Sequence, residues 1–581
     1  MDKVRLTIDG IPVEVPSNYT VLQAAKMANI DIPTLCYLEG INEIGACRVC
    51  IVEIKGVKNL QASCVYPVSN GMEVFTNTPR VREARRANVE LILSAHDRSC
   101  LTCERNRNCE LQALSEKLGI NEIRFTGENI KYPKDDLSPS IVRDPNKCIL
   151  CRRCVSTCSN VQNVFAIGMV NRGFKTIVAP VFGRSLNESP CISCGQCIEV
   201  CPVGAIYEKD HINRVYDALY DGKKYVVVQT APAVRVALGE EFGLPYGTIV
   251  TGKMVSALKR LGFDSVFDTD FAADLTIMEE GNELLQRINN GGKLPMITSC
   301  SPGWINYCER YYPEFIENLS TCKSPHMMMG ALIKSYFAEK KGLNPKDIYV
   351  VSVMPCTAKK YEIDRPEMES DGIKDVDAVL TTRELARMIK QSGIEFNKLP
   401  DEDFDNPLGE STGAAVIFGA TGGVMEAALR TVADVVEGRD LENIDFSEVR
   451  GFEGIREASI KIGGKDIKVA IANGTGNAKK LLDKVKNGEA EYHFIEVMGC
   501  PGGCIMGGGQ PIHNPNKNHE VRIARAKAIY EADRNLPIRK SHKNPMIIKI
   551  YEEYLSTPLS EKSHHLLHTS YSKKELYPLS K

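Results

Sequence analysis

Residues 148–158 read CILCRRCVSTC, and residues 191–202 read CISCGQCIEVCP. Both runs carry the spacing Cys-x2-Cys-x2-Cys-x3-Cys, through Cys148, Cys151, Cys154 and Cys158, then Cys191, Cys194, Cys197 and Cys201. Eight thiolates in that duplicated register suit two [4Fe–4S] clusters, each run lending its fourth cysteine to the other's cluster. One cluster is therefore expected on Cys148, Cys151, Cys154 and Cys201, and the second on Cys191, Cys194, Cys197 and Cys158. Neither zinc nor disulfides would need this eight-cysteine register.

Two further constellations lie upstream. Cys36, Cys47, Cys50 and Cys64 follow the pattern C-x10-C-x2-C-x13-C, inside a stretch of short strand-like runs and one helical run. Four thiolates there could hold a [2Fe–2S] cluster or a zinc ion; the β-grasp character of residues 1–78 favours the cluster. Next comes HDRSCLTCERNRNC, with His96, Cys100, Cys103 and Cys109. Alone, one imidazole and three thiolates would suit zinc; flanked by cluster motifs, they suit a third [4Fe–4S] cluster of altered charge and potential. These fifteen cysteines and one histidine account for four clusters, a wire for single electrons.

The totals agree with an intracellular redox protein. The chain has 581 residues, 21 cysteines and a formal net charge of −2. That balance gives no attraction to nucleic acid or membrane surfaces. The start, MDKVRLTIDG, lacks a secretory h-region, and no apolar run is long enough to span a bilayer, so a reducing, cytoplasmic setting is expected.

Beyond residue 210, short β-rich runs (YVVVQTAP, PMITS, IYVVSVMP, AAVIFGATGG, VAIANG) alternate with helical stretches. That pattern predicts α/β layers with ligand loops at strand C-termini. Three such loops present cysteine: ITSCSPGW with Cys300, VMPCTAKKYE with Cys356, and EVMGCPGGCIMGGGQP with Cys500 and Cys504. They predict one converged metal site. Cys308 and Cys322 fit no such loop and read as buried core thiols.

These three segments resemble the signatures of the [FeFe]-hydrogenases, and the N-terminal arrangement resembles the clostridial type with four accessory clusters. The resemblance covers nearly the whole chain. It implies an α+β multidomain architecture: a β-grasp [2Fe–2S] domain (1–78), a histidine/cysteine cluster segment (79–138), a two-cluster ferredoxin-type domain (139–210) and a two-lobed catalytic domain (211–581). It implies one [2Fe–2S] cluster, three accessory [4Fe–4S] clusters and an H-cluster, a cubane joined to a diiron site carrying CO, cyanide and an azadithiolate.

By the same resemblance, Cys356, Cys500 and Cys504 are cubane ligands, and Lys359 partners a cyanide. Met354, Met498, Pro232 and Ala233 surround the diiron site. Cys300, Glu280, Ser320, Glu283 and Arg287 form the proton path. From the residues alone, Glu280 and Glu283 could equally be a solvated helix face, and the methionines core filler. One position departs from the family: where its pattern has two adjacent cysteines, this chain has Cys300-Ser301. Strict register makes Cys300 the relay and Ser301 a ligand; a shifted backbone reverses them.

The implied activity is reversible conversion of protons and electrons to H2, with ferredoxin as electron partner. The alternatives are a subunit of an NAD(P)-linked or electron-bifurcating complex, whose flavin and nucleotide sites lie on partner subunits, and an H2 sensor. No G-x-G-x-x-G follows a strand here.

Overall fold

In a computed structural model, which describes residues 2–126 and 129–578, the first residues form a hairpin of Lys3–Ile8 and Ile11–Pro16 around Asp9-Gly10, as the sequence predicts. Gly10 takes φ +81, which suits a residue without a Cβ. Thr20 and Gln23 form a reciprocal capping box that starts the helix Val21–Met27. The strands Ile51–Ile54, Gln61–Ala62 and Glu73–Phe75 complete a mixed five-stranded sheet against that helix. In the strand-like run QASCVYPV only two residues, Gln61–Ala62, pair as a strand. Beyond Ala62 the chain turns so that Ser63 Oγ can donate to the Cys50 carbonyl at 2.7 Å, which puts Cys64 beside Cys50.

Thr78 caps the helix Pro79–Ala95, which leads out of this unit. The two cysteine runs follow, joined by a small hairpin of Gly168–Val170 and Ile177–Ala179. Their backbones repeat as their sequences do. Leu150 and Arg152 have φ +54 and +65, and the matching Ser193 and Gly195 have φ +59 and +72. Such left-handed residues turn successive N–H groups inward toward an anion.

The remainder builds two four-stranded sheets. One runs in the order Ser265–Asp268, Tyr225–Thr230, Ile348–Met354, Ala378–Thr381, all parallel. The other runs Met296–Ile297, Phe494–Met498, Lys465–Asn473, Ile455–Ile462, parallel except for the last, edge strand. Strands rich in Val and Ile and buried on both faces, such as YVVVQT and IYVVSVM, are what a helix-covered parallel sheet requires. The helix Thr269–Asn290 lies between the lobes, buried along most of its length.

AAVIFGATGG is not a strand. It forms the short helix Gly413–Val416 and a 3-10 turn, Ile417–Gly419. A short apolar run buried on every side fits either form. Here Thr412 Oγ1 donates to Asp274 at 2.6 Å and pins the segment to the central helix. The basic C-terminal stretch is docked, with the helix Glu561–Leu567 followed by a segment bonded to Thr321 and Glu309. Among the described residues, no helix is long and apolar enough to cross a membrane.

Candidate metal centre

Four loops leave the C-terminal ends of parallel strands, two from each sheet. Thr230 leads to Ala231-Pro232 and Met354 to Pro355-Cys356; Ile297 leads to Cys300 and Met498 to Cys500. They enclose a cavity of about 70 Å³ lined by Pro232, Cys300, Met354, Cys356, Lys359, Met498 and Cys504, with Ala273, His326 and Phe418. That volume takes about two waters at liquid density, the scale of a compact group and far too small for a nucleotide. Ala233 lies behind this wall, fully buried, its carbonyl accepting from Gln510 Nε2 at 2.9 Å.

Glycine makes the third loop possible. A Cβ on Gly503 would stand 2.6 Å from Thr421 N, and one on Gly507 2.2 Å from the Pro355 carbonyl. Arg525 Nη1 donates to the Ile505 carbonyl at 2.7 Å and braces the turn.

Lys359 is held by Glu362 at 2.7 Å and reaches the Cys300 carbonyl at 3.2 Å. Glu362 also takes His326 Nε2 at 2.7 Å. Burial would raise the Glu362 carboxyl, but Lys359 and His326 hold it down at about 2. Burial and the Lys359 charge lower His326 to about 4, so its ring is neutral. Lys359 thus faces a cavity walled by thiols, methionines and apolar groups, with Thr269 and a neutral His326 as its other polar lining.

Burial, and then the neighbouring Glu280 carboxyl, push the Cys300 thiol well above its ordinary range. Burial, then Glu283, raises Glu280 to about 8, against the lowering effect of the nearby Ser320 hydroxyl. Ser320 Oγ donates to Glu283 Oε2 at 2.9 Å, and Glu283 Oε1 meets Arg287 at 2.6 Å. Ser320, Glu283 and Arg287 therefore form a hydrogen-bonded series, with Glu280 and Cys300 as its neighbours on the cavity side. Glu280 and Glu283 are buried, not a solvated face.

The N-terminal thiols fit clusters better than zinc. All 21 cysteines are free. In a tetrahedral Zn–thiolate site, sulfurs lie about 3.8 Å apart. Among the described residues the one trio of ligand atoms within 4.8 Å is Glu283, Cys322 and His568, so no cysteine set is drawn around a single ion. Cys50 and Cys64 approach as a pair at 3.3 Å, too far for a disulfide and near enough to share one metal. Leu150 N donates to Cys148 Sγ, Ser193 N to Cys191 Sγ and Ala166 N to Cys158 Sγ, each at 3.4 Å. His96 Nδ1 is a buried atom without a partner, as a ligand nitrogen would be before its metal is present.

The two upstream cysteine sets each contact the dicluster segment, which in turn contacts the third loop. Asn42 Nδ2 bridges the Cys36 and Cys151 carbonyls at 2.7 and 3.0 Å. A Cβ on Gly204 would stand 2.5 Å from Cys103 Sγ. Gly195 lies against the third loop, where a Cβ would meet Thr357 Oγ1 at 2.4 Å and Gly508 Cα at 3.0 Å.

Comparison with known proteins gives this arrangement its family. Residues 224–508 match the iron only hydrogenase large subunit, C-terminal domain, and 519–574 the iron hydrogenase small subunit. The chain is 51% identical over 586 residues to NADP-reducing hydrogenase subunit HndD of Solidesulfovibrio fructosivorans, covering 99% of this chain and 100% of that one. The chain belongs to the [FeFe]-hydrogenases.

The iron–sulfur segments match as well: residues 1–79 a 2Fe-2S cluster-binding domain, 85–124 the NADH-ubiquinone oxidoreductase-G iron-sulfur binding region, and 147–205 a 4Fe-4S dicluster domain. Iron hydrogenase 1 of Clostridium pasteurianum is 43% identical over 572 residues, covering 98% of this chain and 100% of that one. The solved [FeFe]-hydrogenase HydA1 from Chlamydomonas reinhardtii superposes with TM-score 0.58 at 43% identity, covering 63% of this chain and 100% of that one.

Several supporting residues of this hydrogenase carry no sequence signal. Arg383 binds Glu208 at 2.7 Å, Glu199 at 3.0 Å and the Gly508 carbonyl at 2.8 Å, tying the dicluster segment to the third loop. Gln162 donates to the Gly499 carbonyl at 3.0 Å and accepts from Thr475 N at 2.9 Å. His326, Glu362 and Asn42 are likewise polar residues in unremarkable sequence surroundings. Each also has a partner far along the chain, His326 with Glu362 and Asn42 with Cys151, that no local pattern reveals.

Proposed function

We propose that this hydrogenase interconverts H2 with two protons and two electrons at an H-cluster seated where the four strand-end loops meet. The single observation that carries the site is the closure of Cys300, Cys356, Cys504, Met354, Met498 and Lys359 around one small cavity. The diiron group, with its CO, cyanide and azadithiolate ligands, would supply low-valent iron beside a base. Cys356, Cys500 and Cys504 would hold the adjoining cubane, and Lys359 would donate to a cyanide, a charge-assisted bond. Pro232, Met354 and Met498 would exclude water. Cys300 would pass a proton to Glu280, and Ser320 would link Glu280 to Glu283, which Arg287 holds in place.

We assign the fourth cubane position to Ser301 and the relay to Cys300. Cys300 lines the cavity and faces Glu280. Ser301 Oγ turns the other way and accepts from Gly499 N, next to Cys500, at 3.1 Å. A serine oxygen is harder and more basic than a thiolate. Mössbauer spectra of chain carrying only the cubane should therefore show one iron distinct from three, and S301C should remove the distinction. Identical spectra would return the ligand role to Cys300.

We propose domains at 1–78, 79–138, 139–210 and 211–581, with one [2Fe–2S] and three [4Fe–4S] clusters leading to the H-cluster. Electrons would enter at the N-terminal unit from ferredoxin in the cytoplasm. A second reading, a subunit working with flavin- and NAD(P)-binding partners, is favoured by the full-length likeness to HndD, which by its name is a subunit of an NADP-reducing hydrogenase. Purified chain that evolves H2 from reduced ferredoxin supports the first. Activity confined to a co-purified assembly with NAD(P)H supports the second.

A further inference from the structure

The five-residue proton path ends on a group that cannot release a proton. Arg287 Nη1 and Nη2 donate to Glu283 and to the Leu319, Asn318, Glu317 and Lys293 carbonyls. A guanidinium has no acceptor and does not deprotonate in proteins. Glu283 needs another outlet, and the docked C-terminal segment provides a titratable ring.

His568 Nδ1 lies 2.8 Å from Thr321 Oγ1, and Thr321 N donates to Glu283 Oε2 at 3.2 Å. The nearest ligand atoms of Glu283, Cys322 and His568 fall within 4.8 Å of one another, a gap that one water spans. On its other side His568 Nε2 meets Glu279 Oε2 at 3.1 Å, and its ring lies 4.2 Å from that of His564, which is exposed. Glu279 is fully buried and also takes hydrogen bonds from Tyr551, Ser563 and Leu559 N. Burial would raise its carboxyl, but these bonds and His568 hold it low, so it stays ionised. A static metal site fits less well, because Glu283 already has Arg287 and His568 already has Glu279.

We propose that His568, steadied by Glu279, is the proton exit from Glu283, handing protons to solvent at His564. In H2 oxidation the Glu283 carboxyl gives its proton through one water to His568 and becomes a carboxylate. The imidazolium gives a proton to water at His564 and returns to neutral. H2 evolution runs the same steps in reverse. This rests on the proposed path through Glu283.

The test uses the loaded, full-length enzyme. H568A should cut turnover about tenfold or more in both directions, and added imidazole should restore much of it. H568Q should be slow too, with unchanged Tm and iron content, and E283Q should be slow without imidazole rescue. In the chain without its diiron group, labelled histidine spectra should show the His568 ring exchanging protons readily with bulk water. Wild-type turnover in H568A and H568Q, or loss of turnover with a lowered Tm and no rescue, would overturn the exit. E283Q at wild-type rate would overturn the underlying path instead.

Discussion

At the scale of single residues, the site depends on where charge is allowed to sit. Glu280 is raised to about 8 by burial and by Glu283, from an ordinary 4.5. The folded chain therefore holds a proton there that the unfolded chain releases. Stability from this group is fully present below about pH 4.5 and is lost as pH rises through about 8. In unloaded chain, E280Q should raise Tm relative to the parent, with a gap that widens from about pH 5 to 8 and then levels. A gap independent of pH would mean Glu280 is ionised throughout. Glu362 makes a second case: E362Q should leave Lys359 buried against a weaker partner and cost about 3–5 kcal/mol, measured by denaturant unfolding of unloaded chain.

At the scale of elements, much was legible. The first hairpin, both cysteine runs and the cysteine loops after strands all follow from local spacing and turn chemistry. AAVIFGATGG was not legible, because its helical form is decided by Asp274 and by apolar neighbours on every side. The C-terminal SHHLLHTSYSKK offered no motif, since His568 gains meaning only from Glu279 and Thr321, more than two hundred residues away. Pairing of that kind leaves no periodic trace. The choice between Cys300 and Ser301 was open for a similar reason: strand-end geometry, not spacing, aims the two side chains apart. Gly195 tests the contact between dicluster segment and third loop. G195A puts a Cβ 2.4 Å from Thr357 Oγ1 at φ +72 and should cost about 1–3 kcal/mol. Electron delivery through the N-terminal clusters should slow, while the clusters' own iron stays bound; stopped-flow cluster reduction separates the two.

At the scale of the molecule, the chain reads as a wire ending in a closed chamber. Through Asn42 and Gly204 the two upstream cysteine sets each meet the dicluster segment, Gly195 joins that segment to the third loop, and the two sheets point their strand ends at one cavity. The accessory segments alone should bind about fourteen irons, two in the first cluster and four in each of the others. H96A should lower that count by about four or shift one cluster's potential, read by iron analysis and redox titration. The chamber itself is tested most directly by infrared spectroscopy of the chain matured with its diiron group. The account predicts CO and cyanide stretching bands, with the cyanide bands shifted when Lys359 is replaced by Met. A matured chain without CO and cyanide bands would contradict it.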